Sequence, residues 1–196
     1  MEKKKVINVI IEVSARHVHL FQEQIEKLFG RGYKLTVFKQ LSQRGEFASN
    51  EVVDLKTAKN TLKHVRVLGP ARNYTQVELS KTDAFYLGMD ALVKVSGDLD
   101  GTPGLTIAGS KGKIDIPQGV IFSYRHIHCS PIQARKYGLK HGQLVKVKIV
   151  GQRGLVFNNV MIKVKKGFNW RMHIDTDEAN AAGIDDSNNI GEVLIT

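Results

Sequence analysis

The hexapeptide Ser-x-Arg-His-x-His occurs twice in this chain, as Ser14-Ala15-Arg16-His17-Val18-His19 and as Ser123-Tyr124-Arg125-His126-Ile127-His128. Four of the seven histidines sit in those two copies. Alternate side chains of a strand share one face, whereas positions i and i+2 of a helix diverge. The spacing therefore calls for strands if each His-x-His pair is to reach one point, and neutral imidazole is the commonest metal ligand. The repeat predicts two related halves, each offering a pair of imidazoles, with a metal site made between them. The order after each copy agrees: short helix, glycine, strand, with Gly30 lying 13 residues beyond His17 and Gly138 12 beyond His126.

Hydrophobic periodicity predicts mostly short strands. Val6 to Val13 is β-rich, and Tyr33 to Phe38, Glu51 to Leu55, Val65 to Leu68, Thr75 to Ser80 and Ala91 to Val95 read as strands. So do Leu105 to Gly112, Ile114 to Phe122, Leu144 to Val150, Gly154 to Val164 and Met172 to Ile174. Helical spacing falls at Leu20 to Phe29, Thr82 to Leu87, Pro131 to Lys136 and Ala179 to Ala182. Ser130 is the expected N-cap of the third of these, with Pro131 at its first position. The predicted fold is mainly β: two similar, duplicated β-barrels with short α-helical caps and the active site at their junction.

Composition narrows the function. At 196 residues the chain is one large domain or two small ones. Its apolar runs are far too short to span a bilayer, so no membrane partner is expected. One cysteine excludes an internal disulfide and fits a reducing cytoplasm. The formal charge of +10 attracts polyanions. Its Lys and Arg residues are scattered, however, apart from Lys3 to Lys5 and Lys163 to Lys166, and the aromatics form no stacking pattern. Nucleic acid is not the expected partner.

The candidate chemistry centres on His17, His19, His126 and His128. One His-x-His alone would be most simply two satisfied strand histidines, but the same context twice overturns that reading. His173, ahead of a dense acidic segment, is the natural fifth imidazole. Zinc suits imidazole with carboxylate, and five imidazoles exceed the usual three protein ligands of one catalytic zinc, so two metals are expected. Glu78 is the candidate carboxylate, with Asp83, Asp98, Asp175 and Asp177 as rivals. Arg72 follows Gly69-Pro70-Ala71 and can offer a bidentate fork to phosphate, although an ordinary loop arginine is the simpler reading of that residue alone. Cys129 faces away from its neighbouring histidines by strand alternation and reads as a buried structural thiol. His64 and His141, beside lysines, read as surface residues. The Ser96 to Gly104 loop can line an anion or coenzyme with its amides, and a plain glycine turn explains it equally well.

Together these segments resemble the PduL-type phosphate acyltransferases, also called phosphate propanoyltransferases or phosphotransacylases. The matching stretches are SARHVHL (14–20), VRVLGPAR with TQVELSKTDAFYLG (65–88), SGD (96–98), RHIHCSP (125–131) and MHIDTDEANAAG (172–183). The resemblance implies reversible conversion of a short-chain acyl-CoA, propanoyl-CoA or acetyl-CoA, plus phosphate to acyl phosphate plus coenzyme A. It implies that one barrel combines residues 1–15 with 124–196 and that the other holds residues 16–123. It implies two zinc ions per chain on His17, His19, Glu78, His126, His128 and His173, and phosphate bound by Arg72. Ser14, Gln43, Ser96 and Arg125 fall near the family's active site and are candidate phosphate or CoA contacts. A homo-oligomer, such as a dimer, is expected.

Two departures stand out. Gln43-Arg44-Gly45-Glu46-Phe47-Ala48 replaces a common Gln-Pro-Gly-Gln-Phe-Ala, and Cys129 stands where methionine is common. Only Met1 to Lys5 precede the first strand, so no N-terminal encapsulation helix is expected and a free cytoplasmic enzyme is the implied setting. The competing readings are a zinc-dependent thioester or other hydrolase and, in another class, a basic barrel that carries nucleic acid.

Overall fold

A computed structural model describes residues 6–195. Met1 to Lys5, on which the expected lack of an encapsulation helix turns, lie outside the described residues. In chain order the elements are β1 (Val6–Val13), β2 (His17–His19), α1 (Gln22–Phe29), β3 (Val37–Gln40), β4 (Phe47–Lys56), β5 (Thr61–Gly69), β6 (Gln76–Glu78), α2 (Lys81–Leu87) and β7 (Leu92–Lys94). They continue with β8 (Leu105–Ala108), β9 (Lys113–Ile116), β10 (Val120–Ser123), β11 (His126–Cys129), α3 (Pro131–Tyr137), β12 (Leu144–Ile149), β13 (Val156–Val164), β14 (Arg171–Ile174), α4 (Thr176–Ala182) and β15 (Ile190–Leu194). The protein is mainly β, and among the described residues no helix is long and apolar enough to cross a membrane.

The chain forms two compact units, one holding the residues up to Ser14 together with those from Tyr124 onward, the other holding Ala15–Ser123. Each crossing between units falls just after the serine of a Ser-x-Arg-His-x-His copy. The first unit is a closed barrel with strand order β1-β14-β11-β13-β12-β15. Alternation along β1 sends Ile7, Val9 and Ile11 inward, where they meet Ile127, Val147, Val160, Ile162 and Met172 in one apolar core. The second unit is a nine-stranded sheet ordered β7-β10-β6-β2-β5-β4-β8-β9, with β3 paired to β4. Its core gathers Val18, Leu28, Leu55, Val67, Val77, Leu87 and Ile107.

A four-strand array recurs in both units. In the second, β2 runs parallel to β5 and antiparallel to β6, and β6 runs parallel to β10. In the first, β11 runs parallel to β13 and antiparallel to β14, and β14 runs parallel to β1. The duplication legible in the hexapeptides is thus a duplication of pairing, although the second unit's ladder forms a sheet where a barrel is expected from sequence.

Local differences from the sequence reading have plain causes. The run Ile114 to Phe122 splits into β9 and β10 because Pro117 has no N–H to offer a ladder and Gly119 takes φ 126°. A Cβ at Gly119 would also press on the Thr75 carbonyl at 2.8 Å. The strand expected at Tyr33 to Phe38 forms later, at Val37–Gln40, since Tyr33 and Thr36 both bond to the buried Glu51 carboxylate.

Candidate functional site

Every helix among the described residues has its N-cap two residues past a candidate ligand. His19 leads to the N-cap Phe21, Glu78 to Ser80, His128 to Ser130 and His173 to Asp175. Ser80 accepts from the Asp83 N–H at 3.2 Å, while Ser130 and Asp175 complete reciprocal capping boxes with Gln133 and Glu178. Gly88 and Gly138 close α2 and α3 in the left-handed conformation, which glycine alone adopts without steric penalty. Strand and cap together fix where each candidate ligand's backbone sits.

In the second unit the register sets His17 opposite Glu78. Val18 is fully buried in the core, so His17 and His19 take the other face of β2, and both are also buried. His17 Nε2 lies 3.6 Å from Glu78 Oε2, and His19 Nε2 lies 4.0 Å from Glu78 Oε1. One ligand atom from each of the three residues falls within 4.8 Å of the others. His17 Nδ1 is 2.8 Å from the Ala15 carbonyl oxygen. A carbonyl only accepts, so Nδ1 carries the hydrogen and the neutral ring keeps its lone pair on Nε2, toward Glu78.

Electrostatics separate the two imidazoles. Burial alone would lower the His17 pKa, but the charge and hydrogen bonding of Glu78 and the Ala15 carbonyl together raise it. His19 is held well below the usual histidine range by burial, reinforced by His17 and Arg72. Its buried Nδ1 lacks a hydrogen bond of good geometry. A neutral buried imidazole, a second ring with its lone pair aimed inward and a carboxylate make a donor set that suits a borderline divalent metal such as zinc.

In the first unit the same register sets His126 opposite His173. His126 Nδ1 lies 2.7 Å from the Tyr124 carbonyl, repeating the His17–Ala15 contact, and His126 Nε2 lies 3.1 Å from His128 Nε2. Two nitrogens on one tetrahedral ion at about 2.0–2.1 Å would stand roughly 3.3 Å apart, so this spacing also suits a shared metal. The His173 ring centroid is 5.3 Å from that of His126 and 4.5 Å from that of His128. Phe168 stacks on His128 at 3.8 Å, and Glu12 places a carboxylate oxygen 3.8 Å from His173 Nδ1.

Arg72 belongs to the second unit's site. Its backbone N–H donates to the Leu20 carbonyl at 2.8 Å, which ties its loop to the end of the His-x-His strand. Its Nη1 donates to the Tyr74 hydroxyl at 2.9 Å and to Ser96 Oγ at 3.4 Å, and Nη2 lies 3.3 Å from Glu46 Oε1. Ser96 Oγ also accepts from Gln76 Nε2 at 2.8 Å, and Gln76 Nε2 donates to Glu78 Oε1 at 2.6 Å. A continuous polar chain therefore runs Arg72–Ser96–Gln76–Glu78. Sequence reasoning missed Gln76 and Glu12. The available signal for Gln76 was its position two residues before Glu78, which puts both on one strand face.

The remaining candidates are placed as follows. Gln43 is buried, and its carbonyl accepts from the Glu46 N–H at 3.1 Å. Ser14 donates its backbone N–H to Ile174 at 2.7 Å. Arg125 pairs with Glu178 at 3.0 Å, a carboxyl whose pKa burial raises. Among Glu78's rivals, Asp83 pairs with Arg16, Asp98 pairs with Lys94, and Asp175 and Asp177 serve the first turn of α4. Cys129 is fully buried, and His64 is exposed.

A family profile described as phosphate propanoyltransferase matches residues 10–185. The chain is 49% identical over 180 residues to a phosphate propanoyltransferase of Thermotoga maritima, covering 91% of this chain and 86% of the relative. It is 46% identical over 180 residues to one from Clostridioides difficile, covering 92% and 86%. It is 47% identical over 174 residues to one from Salmonella typhimurium, covering 88% and 82%. The chain belongs to the phosphate propanoyltransferase family of acyltransferases.

Proposed function

We propose that this acyltransferase interconverts a short-chain acyl-CoA, propanoyl-CoA or acetyl-CoA, plus phosphate with the acyl phosphate plus coenzyme A. The observation that carries the reading is the convergence of His17, His19 and Glu78 within 4.8 Å, joined through Gln76 and Ser96 to Arg72. A metal-type donor set and an anion-type donor then belong to one polar network.

On this reading His17, His19 and Glu78 hold one zinc ion, and His126, His128 and His173 hold another. Zinc, when bound, supplies Lewis acidity that polarises a thioester carbonyl and steadies the negative charge it develops. Arg72 holds phosphate through N–H groups in a planar fork, with Tyr74 and Ser96 limiting the rotamers of its guanidinium. A phosphate oxygen attacks the thioester carbonyl carbon, the new C–O bond forms, and the C–S bond breaks with its electron pair leaving on sulfur. The proton given up by phosphate neutralises the coenzyme A thiolate through solvent. Holding nucleophile and thioester in one place supplies much of the rate.

The test is CoA release from acetyl-CoA and propanoyl-CoA, with and without phosphate, before and after chelation. Release that requires phosphate, stops on chelation and returns with zinc supports the reading and ranks the two acyl groups. Release without phosphate overturns it in favour of a zinc-dependent hydrolase.

A further inference from the structure

Gln76 is a buried polar side chain beside the candidate metal cluster. It is 0% exposed. Its Oε1 accepts from the Gly97 N–H at 2.7 Å. That bond fixes which end of the amide is oxygen, because a backbone N–H only donates. The amide nitrogen then has two hydrogens, and the structure gives each an acceptor: Glu78 Oε1 at 2.6 Å and Ser96 Oγ at 2.8 Å. The whole hydrogen-bonding capacity of the amide NH2 is spent on orienting two neighbours.

The consequence falls on Glu78. With Oε1 accepting from Gln76, its Oε2 is the oxygen turned toward His17 Nε2 at 3.6 Å. A carboxylate that rotates freely presents either oxygen in many directions, and ordering it on metal binding carries an entropic cost. Outer-shell partners that remove that freedom strengthen metal binding. The same amide ties the Ser96-Gly97 turn to β6, so the loop that supports Arg72 and the carboxylate share one anchor.

We propose that Gln76 is a positioning residue that presets Glu78 for metal binding and registers the Ser96 loop against it. This rests on the reading of His17, His19 and Glu78 as a metal site. On that reading Gln76 is neither a metal ligand nor a phosphate contact. Its effect is carried by the orientation of Glu78 on one side and Ser96 on the other.

The test measures zinc affinity by competition with a chromophoric chelator, in full-length protein carrying His126→Ala and His128→Ala so that the other imidazole pair does not contribute. Gln76→Met keeps the volume and removes the amide. Gln76→Asn keeps the amide but is too short to reach Gly97 and Glu78 together, and it guards against a folding defect peculiar to the methionine variant. Glu78→Gln is the control. Zinc binding weakened about 10- to 100-fold in both Gln76 variants, with Glu78→Gln weakened at least as much, is the expected result. Affinity within about twofold of the parent in either folded Gln76 variant, with Glu78→Gln weakened, overturns the positioning role and leaves the metal site standing. Unchanged affinity in Glu78→Gln overturns the metal reading and the inference with it.

Discussion

Glu46 holds a carboxylate oxygen 3.3 Å from Nη2 of Arg72. Both side chains are partly exposed, so the pair adds little to stability. Its effect is competitive: an anion approaching that arm of the fork must displace a negative charge already there. Glu46→Gln keeps the shape and removes the charge. The expected outcome is a phosphate KM about fivefold lower with little change in kcat, equivalent to about 1 kcal/mol. Initial rates across a phosphate series at fixed acyl-CoA decide it, and an unchanged or higher KM would refute the competition.

Arg72→Ala separates anion binding from metal binding. Arg72 acts on His17 through its charge, whereas its guanidinium bonds Tyr74, Ser96 and Glu46. The variant is expected to keep its full metal content while its phosphate KM rises about tenfold or more. Metal analysis and phosphate kinetics on one preparation check both halves of the statement.

The two imidazole pairs occupy equivalent places in their own units, His17 opposite Glu78 and His126 opposite His173. Each set is therefore expected to bind one metal by itself. Bound zinc should fall from about two to about one equivalent per chain in His17→Ala/His19→Ala and equally in His126→Ala/His128→Ala, with activity down at least about hundredfold in both. Retention of two equivalents in either double variant would remove that pair from the ligand set. Full activity after exhaustive chelation would remove metal from the chemistry.

What could be read from sequence follows from the range of the interactions involved. The His-x-His strands were legible because a repeated motif and the period of 2 are local signals. The helix start at Ser130 and the glycine stop at Gly138 were legible because caps are chemistry within four residues. The Arg72–Ser96–Gln76–Glu78 chain was not, since its members come together only when β6, the loop after β7 and the loop after β5 assemble. Glu12 escaped for the same reason: its approach to His173 depends on parallel pairing of β1 with β14, across 161 residues of chain. Asp83 competed with Glu78 on paper because both are acidic and nearby. The fold separates them, with Glu78 opposite His17 across a strand pair and Asp83 on α2 paired with Arg16.

Cys129 tests the packing of the first unit. Ile127 and Cys129 share the inward face of β11 and are both fully buried, opposite the face carrying His126 and His128. Burial raises the thiol pKa from 9.0 to about 11, and the reactive species is the thiolate. Native protein at pH 8 is therefore expected to resist iodoacetamide over hours, while denatured protein gains one adduct by mass. The same shift has a sign for stability. Between pH 9.0 and about 11 the unfolded thiol ionises while the folded thiol keeps its proton, so the folded state binds more protons and stability falls as pH rises through that window. Below pH 9.0 both states hold the proton and the contribution is fully present. Cys129→Ala removes the titrating group, so its denaturation midpoint should decline less steeply than the parent's over the same range. Parallel declines in the two proteins, or rapid alkylation of the native thiol, would show that the inward face of β11 is open to solvent.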